Sequence, residues 1–427
     1  MQVKEFLKKL DFEIEKNDLD FIKNETDKIL FLLKNEIKRR KVKADIFVGG
    51  SLAKGTIVKS NWYDIDIFVR FEKKNDKISY LLEEIINGIK KEKKMNIERV
   101  HGSRDYFKVK KGVEGKEVEF EIIPVLKIKK PKEAENVTDL SYFHVNYVKN
   151  EIRKNKKLKK DIPMAKAFCG ANKVYGAEGY VQGLSGYAVE CLVINYGSFE
   201  KMAKEIINVK ERVILDPKKQ YKNKNEIFLE LNEAKMQSPI VLIDPTWKER
   251  NVLAALHRET FIRLQEALKD LIRKPRKELF ELRKMDELGL KNRAKKQSSE
   301  FLKVVMKTDR QEGDIAGTKL KKFSKYLKNE MSKYFEIKES EFEYYGKKEA
   351  TIYLILKSKK EIINRGPPVE MKKDAIHFRK MNKNIFDKDR RLYSKIKINF
   401  TGKDFVKRLI TEQKDKIRDM GINWIEV

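Results

Sequence analysis

Apolar residues recur at helical spacing early in the chain, where Leu19, Ile22, Ile29, Leu32 and Leu33 fall on one face ahead of Lys38-Arg39-Arg40. Two amphipathic helices are expected over residues 1–40. The period then drops to two. Residues 45–48 and 63–71 alternate as strands do, residues 78–89 return to an amphipathic helix that would pack on the same sheet, and residues 118–124 read as a further strand preceded by a hairpin turn at Gly112 to Gly115. From Asp139 the text turns helical: Pro163 opens an apolar helix with Met164, Ala167 and Phe168, and residues 186–199 are apolar on nearly every side, as a central helix would be. Thr246 and Glu249 form a capping-box pattern, predicting a helix over residues 246–273 that Lys274-Pro275 stops. Arg250 would then lie in the first turn, where a cation opposes the helix dipole. Beyond Pro275 the order changes to a strand over 300–308, a helix over 318–335, and a hairpin of residues 337–345 and 350–357 turning at Gly346.

These patterns, with 427 residues to accommodate, predict an α+β multidomain chain. An α/β domain over 1–138, a mainly helical domain over 139–275 and an α/β region over 276–427 are expected. The last resembles a small RNA-binding module, though without the aromatic signature of an RNA-recognition motif. Lys and Arg number 97 against 66 Asp and Glu, a net charge of +31 that points to a polyanionic partner. Nucleic acid is favoured over membrane, because no run approaches the roughly 20 apolar residues of a membrane span and Met1 to Leu10 has no signal-peptide core. Cys169 and Cys191 belong to no Cys-x-x-Cys pair and sit in apolar text. They read as core residues of a protein of the reducing cytosol.

The chemistry concentrates in Phe47-Val48-Gly49-Gly50-Ser51 and Tyr63-Asp64-Ile65-Asp66-Ile67. Side chains at i and i+2 of a strand share a face, so Asp64 and Asp66 present their oxygens together while Ile65, Ile67 and Val69 pack the other side. An all-oxygen pair suits Mg²⁺. Backbone N–H groups at Gly50-Ser51, where a helix begins, suit a phosphate. Either part alone is commonplace; with twelve residues between Ser51 and Asp64, the pair points to nucleotidyl transfer. Glu121, with Glu119 on its face, is the candidate third carboxylate.

This arrangement resembles the polymerase-beta-type nucleotidyltransferase superfamily. Between residues 139 and 260 the likeness narrows: Tyr175-Gly176-Ala177-Glu178, Gly183-Leu184-Ser185-Gly186-Tyr187, Tyr196-Gly197-Ser198-Phe199 and Asp244-Pro245 with Arg250-Asn251-Val252 are similar to archaeal, class I CCA-adding enzymes. The resemblance implies a tRNA nucleotidyltransferase that adds C-C-A to the tRNA 3′ end from CTP and ATP, with two Mg²⁺ ions on Asp64, Asp66 and Glu121. Glu121 stands where the family often has Asp. It further implies that Ser51, Lys166 and Tyr175, with Lys54 nearby, contact the triphosphate, that Arg250 reads the base edge, and that Ser141, His144 and His101 lie around the nucleotide and metals. Lys166 and Tyr175 are nine residues apart, so the helix carrying Lys166 should end near Gly170 to Asn172. The basic C-terminal region is then expected to grip the acceptor and T arms of tRNA, and a homodimer is left open. The rival readings are a poly(A) or oligoadenylate polymerase of the same fold, which would take ATP alone, and a non-catalytic RNA-binding protein.

Overall fold

The computed structural model describes residues 2–72, 77–93, 96–113, 116–282 and 285–427. Contacts divide the chain into two compact units, one of Met1–Ala177 with Val181–Arg283, the other of Glu178–Tyr180 with Lys284–Val427.

The first unit opens with α1 (Val3–Lys8) and α2 (Lys16–Arg39), then β1 (Ala44–Val48), α3 (Gly50–Lys54), β2 (Trp62–Phe71), α4 (Ile78–Lys93), β3 (Ile97–Val100), β4 (Tyr106–Val113) and β5 (Lys116–Leu126). The five strands form one sheet in the order β1-β2-β5-β4-β3, in which only β2 and β5 run parallel. The alternation in β2 decides which face is which. Tyr63, Ile65, Ile67, Val69 and Phe71 are buried against Ile22 and Leu33 of α2 and Leu82, Ile85 and Ile86 of α4. That leaves Asp64 and Asp66 on the opposite face, away from the apolar layer. Gly112 lies within β4; the rest of the turn expected there, at 114–115, falls outside the described residues.

The same unit continues with α5 (Ser141–Lys154), α6 (Leu158–Ala171) and α7 (Gly186–Tyr196), and with helices Phe199–Ile206 and Arg258–Arg273. Phe168, Leu192, Phe199, Leu264 and Leu268 form their shared core, and both cysteines are free and buried. The helix expected to open at Pro163 begins earlier, at Leu158, with Pro163 inside it. Proline deprives the carbonyl four residues back, that of exposed Lys159, of its partner, so the loss falls at the start of the helix where water can replace it. The helix ends at Ala171, between Lys166 and Tyr175.

A larger correction concerns residues 246–257. No helix starts at Thr246; Trp247–Asn251 is a strand paired antiparallel with Ile240–Asp244, and the helix begins only at Arg258. Asp244 is the reason. Its Oδ1 accepts both the Thr246 N–H and the Thr246 hydroxyl, each at 2.8 Å, so the hydroxyl donates into a turn instead of capping a helix. Asn251 Oδ1 then accepts the Leu242 and Leu253 N–H groups and fixes the hairpin.

In the second unit, strands Phe335–Tyr344, Glu349–Ser358, Glu300–Lys307 and Trp424–Glu426 form a sheet in that order, packed against the helix Asp314–Met331 through Leu320, Phe323 and Leu327. That helix starts and stops four residues ahead of the pattern's 318–335, and Phe335 already belongs to the sheet. A smaller sheet of Glu361–Pro368, Arg391–Lys397 and Ile385–Lys388 carries the helix Lys372–Met381. Among the described residues no helix is long and apolar enough to cross a membrane.

Candidate active site

The turn between β1 and α3 is built against β2. Gly49 N–H donates to the Asp66 carbonyl at 2.8 Å, and Gly50 adopts φ +57°, with its absent Cβ replaced by Asp66: a methyl there would lie 1.8 Å from Oδ2. Glycine is required on both counts. The turn therefore brings Ser51 beside the carboxylates.

Parallel pairing of β2 and β5 puts Asp64 opposite Glu119 and Asp66 opposite Glu121. Trp62 Nε1 donates to Asp64 Oδ1 at 2.7 Å. Burial pushes the Asp66 carboxyl up to about 7, helped by the charge of Glu121. Asp64 and Glu121 are raised as well, burial again being the main cause, with Lys108 pulling Glu121 back. Exposed Asp64 and half-buried Asp66 and Glu121 thus share too little positive charge. Lys108, opposite Glu121 in the β4–β5 register, reaches Glu121 at 3.0 Å and also bonds Glu119. Among the described residues no group of three His, Cys, Asp or Glu converges as a ready metal site, and this lysine shows why for Glu121. The donor chemistry nonetheless fits a hard divalent cation: all oxygen, on one face of adjacent strands, with raised carboxyl pKa values that such an ion would offset.

A second cluster carries the positive charge. Glu190 of α7, fully buried, accepts from Lys54 Nζ and Lys166 Nζ at 2.8 Å each and from the Thr56 hydroxyl at 2.7 Å. Burial by itself would raise this carboxyl, yet Lys166 and Lys54 hold it down at about 2. Burial and the neighbouring Lys54 lower the Lys166 ammonium, while Glu190 supports its charged form.

A third cluster centres on Asp244, also fully buried. It accepts from Arg250 Nη1 at 2.6 Å and from the Tyr187 hydroxyl at 3.0 Å, and its Oδ2 lies 3.2 Å from His144 Nε2. Burial opposes the charge, but His144, Arg250 and the Thr246 N–H hold the Asp244 carboxyl well below the usual range. The His144 ring stacks on Tyr187 at 3.9 Å, and burial lowers its pKa against the pull of Asp244.

A cavity of about 600 Å³ meets members of all three clusters, with Ser51, Asp64, Asp66, Ser141 and Tyr175 among its walls and Glu121 outside them. Lys54, Lys166 and His144 line it too. Arg250 stands behind, across Tyr187, whose ring centroid lies 5.8 Å from the guanidinium. His101 is elsewhere: it follows β3, the far edge strand, is largely exposed, and pairs through Nδ1 with Asp105 at 3.0 Å. Lys108, Tyr187, Glu190 and Asp244 were not singled out from the sequence as site residues. Glu190 carried a readable signal, as the one acid in a helix otherwise apolar on nearly every side; Lys108 among so many lysines carried none.

The comparisons fall on the same stretch as the sheet, the glycine turn and the paired carboxylates: residues 32–159 match the nucleotidyltransferase domain family and residues 160–281 the second domain of tRNA nucleotidyltransferases. Over that stretch the chain is similar to archaeal CCA-adding enzymes. It is 42% identical over 256 residues to the CCA-adding enzyme of Nanoarchaeum equitans, covering 60% of this chain and 59% of that protein. To the CCA-adding enzyme of Saccharolobus solfataricus it is 32% identical over 248 residues, 57% of this chain and 55% of that one. To that of Methanosarcina acetivorans it is 28% identical over 350 residues, 79% and 72%. The match thus spans under three fifths of the first two relatives.

Proposed function

We propose that the protein adds C-C-A to the 3′ end of tRNA from CTP and ATP, without a nucleic-acid template and with release of pyrophosphate, in the cytoplasm. The observation that carries this reading is the meeting of the Asp64–Asp66 face and the Lys54–Lys166–Glu190 cluster in one cavity, acids for metal beside cations for phosphate.

Two Mg²⁺ ions held by Asp64, Asp66 and Glu121, once Lys108 yields the last, would supply Lewis acidity to the attacking 3′-hydroxyl and the leaving pyrophosphate. The chain's own groups do the rest. Lys54, Lys166, Ser51 and Tyr175 bind the triphosphate and orient its α-phosphorus for in-line attack. Ser141 and His144 line the nucleotide, and His144 keeps Asp244 hydrogen-bonded. Arg250, aimed by Asp244, offers its fork of N–H groups to the base edge. His101 is proposed as a more distant contact for the nucleotide or metals.

Functionally, residues 1–138 would be the catalytic domain, 139–275 the nucleotide-contacting domain and 276–427 the tRNA-binding region. The last would take the acceptor and T arms through phosphates and A-form shape, which makes affinity fall steeply with salt. A homodimer is compatible with this reading.

The test is incorporation of labelled CTP and ATP, separately and together, into tRNA lacking its last three nucleotides, with Mg²⁺. Two C from CTP and one A once ATP is added is the expected result. A long A tail from ATP alone would replace this reading with a poly(A) polymerase, and tight RNA binding without transfer would replace it with a non-catalytic binder.

A further inference from the structure

Glu190 stands out for what surrounds it. The neighbouring residues of α7, Ala188, Val189, Cys191, Leu192 and Val193, are apolar and buried, and a carboxylate among them is retained at a cost that only full pairing offsets. Its two oxygens divide the work: Oε2 takes Lys54, while Oε1 takes both Lys166 and the Thr56 hydroxyl. Thr56 in turn accepts from Lys166 Nζ at 3.0 Å through its hydroxyl and at 3.2 Å through its carbonyl. Lys54 belongs to α3, beside the carboxylate strand, and Lys166 to α6, in the helical layer. One acid in α7 therefore fixes cations from two other helices, and all three residues line the same cavity.

The stoichiometry argues against a purely structural pair. One lysine would neutralise one buried glutamate. The second places positive charge at the wall of the cavity, where it also acts on the Asp66 carboxyl.

We infer that Glu190 is a positioning residue for the polyphosphate of the substrate: it holds the Lys54 and Lys166 ammonium groups side by side, charged and immobile, so that a triphosphate meets a preformed pair of donors. The inference rests on the nucleotidyl-transfer reading of the cavity. Without the carboxylate Lys54 loses this acceptor and Lys166 keeps only Thr56, so the two ammonium groups repel each other and move apart. The polyphosphate then loses its anchor, while the Asp244–Arg250 cluster, which shares no bond with Glu190, keeps its geometry.

The experiment compares full-length wild type, Glu190→Gln and Glu190→Asp. Dissociation constants are measured for CTP, CMP and inorganic tripolyphosphate with Mg²⁺, together with KM and kcat for CTP on tRNA lacking C-C-A. For Glu190→Gln, KM for CTP and the dissociation constants of CTP and tripolyphosphate should rise about tenfold or more, while that of CMP changes less than about twofold. Glu190→Asp, which keeps the charge on a shorter stem, should fall between. If the Gln variant does not fold, judged by circular dichroism, the Asp variant decides by the same ratio of CTP to CMP. Equal weakening of CTP and CMP, or a loss in kcat with KM unchanged, would assign Glu190 a structural role and overturn the inference. Wild type that binds tripolyphosphate but does not extend tRNA would count against the proposed function alone, and the tripolyphosphate comparison would still judge Glu190.

Discussion

Lys108 Nζ lies 3.0 Å from Glu121, so the carboxylate in register with Asp66 is bound to a lysine of the adjoining strand. This lysine stands in for positive charge that a divalent cation would otherwise provide to the same carboxylates. In Lys108→Met, Glu119 and Glu121 lose that partner, and stability in EDTA should fall by about 1–3 kcal/mol. Addition of Mg²⁺ or Mn²⁺ should then raise the variant's Tm more than that of wild type. Thermal unfolding with and without metal checks this; an identical metal response in both proteins would show that Lys108 does not compete for the site.

Asp66 gives a pH signature. Its carboxyl keeps a proton up to about pH 7 in the folded protein but only to about 3.8 when unfolded. The folded state therefore binds more protons between those values, and metal-free stability should fall as pH rises through that window. Asp66→Asn removes this penalty. Discounting for its partial exposure, the variant should gain about 1–2 kcal/mol at pH 8 in EDTA and nothing below about pH 4. Transfer to tRNA should vanish while tRNA binding persists. Denaturant melts across pH and a filter-binding assay read the two effects separately.

Asp244 and Arg250 should act as a unit. Removing either side chain releases the other, so Asp244→Ala and Arg250→Ala should each reduce the preference for CTP and ATP over UTP and GTP by about 10- to 100-fold, with tRNA affinity nearly unchanged. The double variant should be little worse than either single one. Ratios of kcat/KM among the four nucleotides measure the first effect; a change confined to tRNA affinity would assign the pair elsewhere.

Gly50→Ala should be damaging out of proportion to its size. The new methyl would meet Asp66 Oδ2 in a backbone at φ +57°, displacing either the turn or the carboxylate. A cost of about 1–3 kcal/mol in stability is expected. Activity should drop by more than the unfolded fraction explains, as assayed by CTP incorporation well below Tm.

Much of this was legible locally. The period-two run around Asp64 and Asp66 determined a strand with its acids on one face, and the structure has that strand with Ile65, Ile67 and Val69 buried beneath it. Helical periodicity placed α2 and α4, and the fold class followed from the order of patterns along the chain. Such features depend on neighbours a few residues apart, whose geometry the backbone period alone dictates.

Where two local acceptor patterns compete for one side chain, the sequence misled. Thr246 and Glu249 have the spacing of a cap, but Asp244 captures the Thr246 hydroxyl, and a strand forms where a helix was expected. Only the tertiary structure brought Glu190 to Lys54, 136 residues away, Lys108 to Glu121 across the β4–β5 register, and His144 to Asp244, 100 residues on. The physical reason is the same in each case. A buried charge must find opposite charge or a hydrogen-bond donor wherever packing brings one, and packing distance bears no fixed relation to separation along the chain.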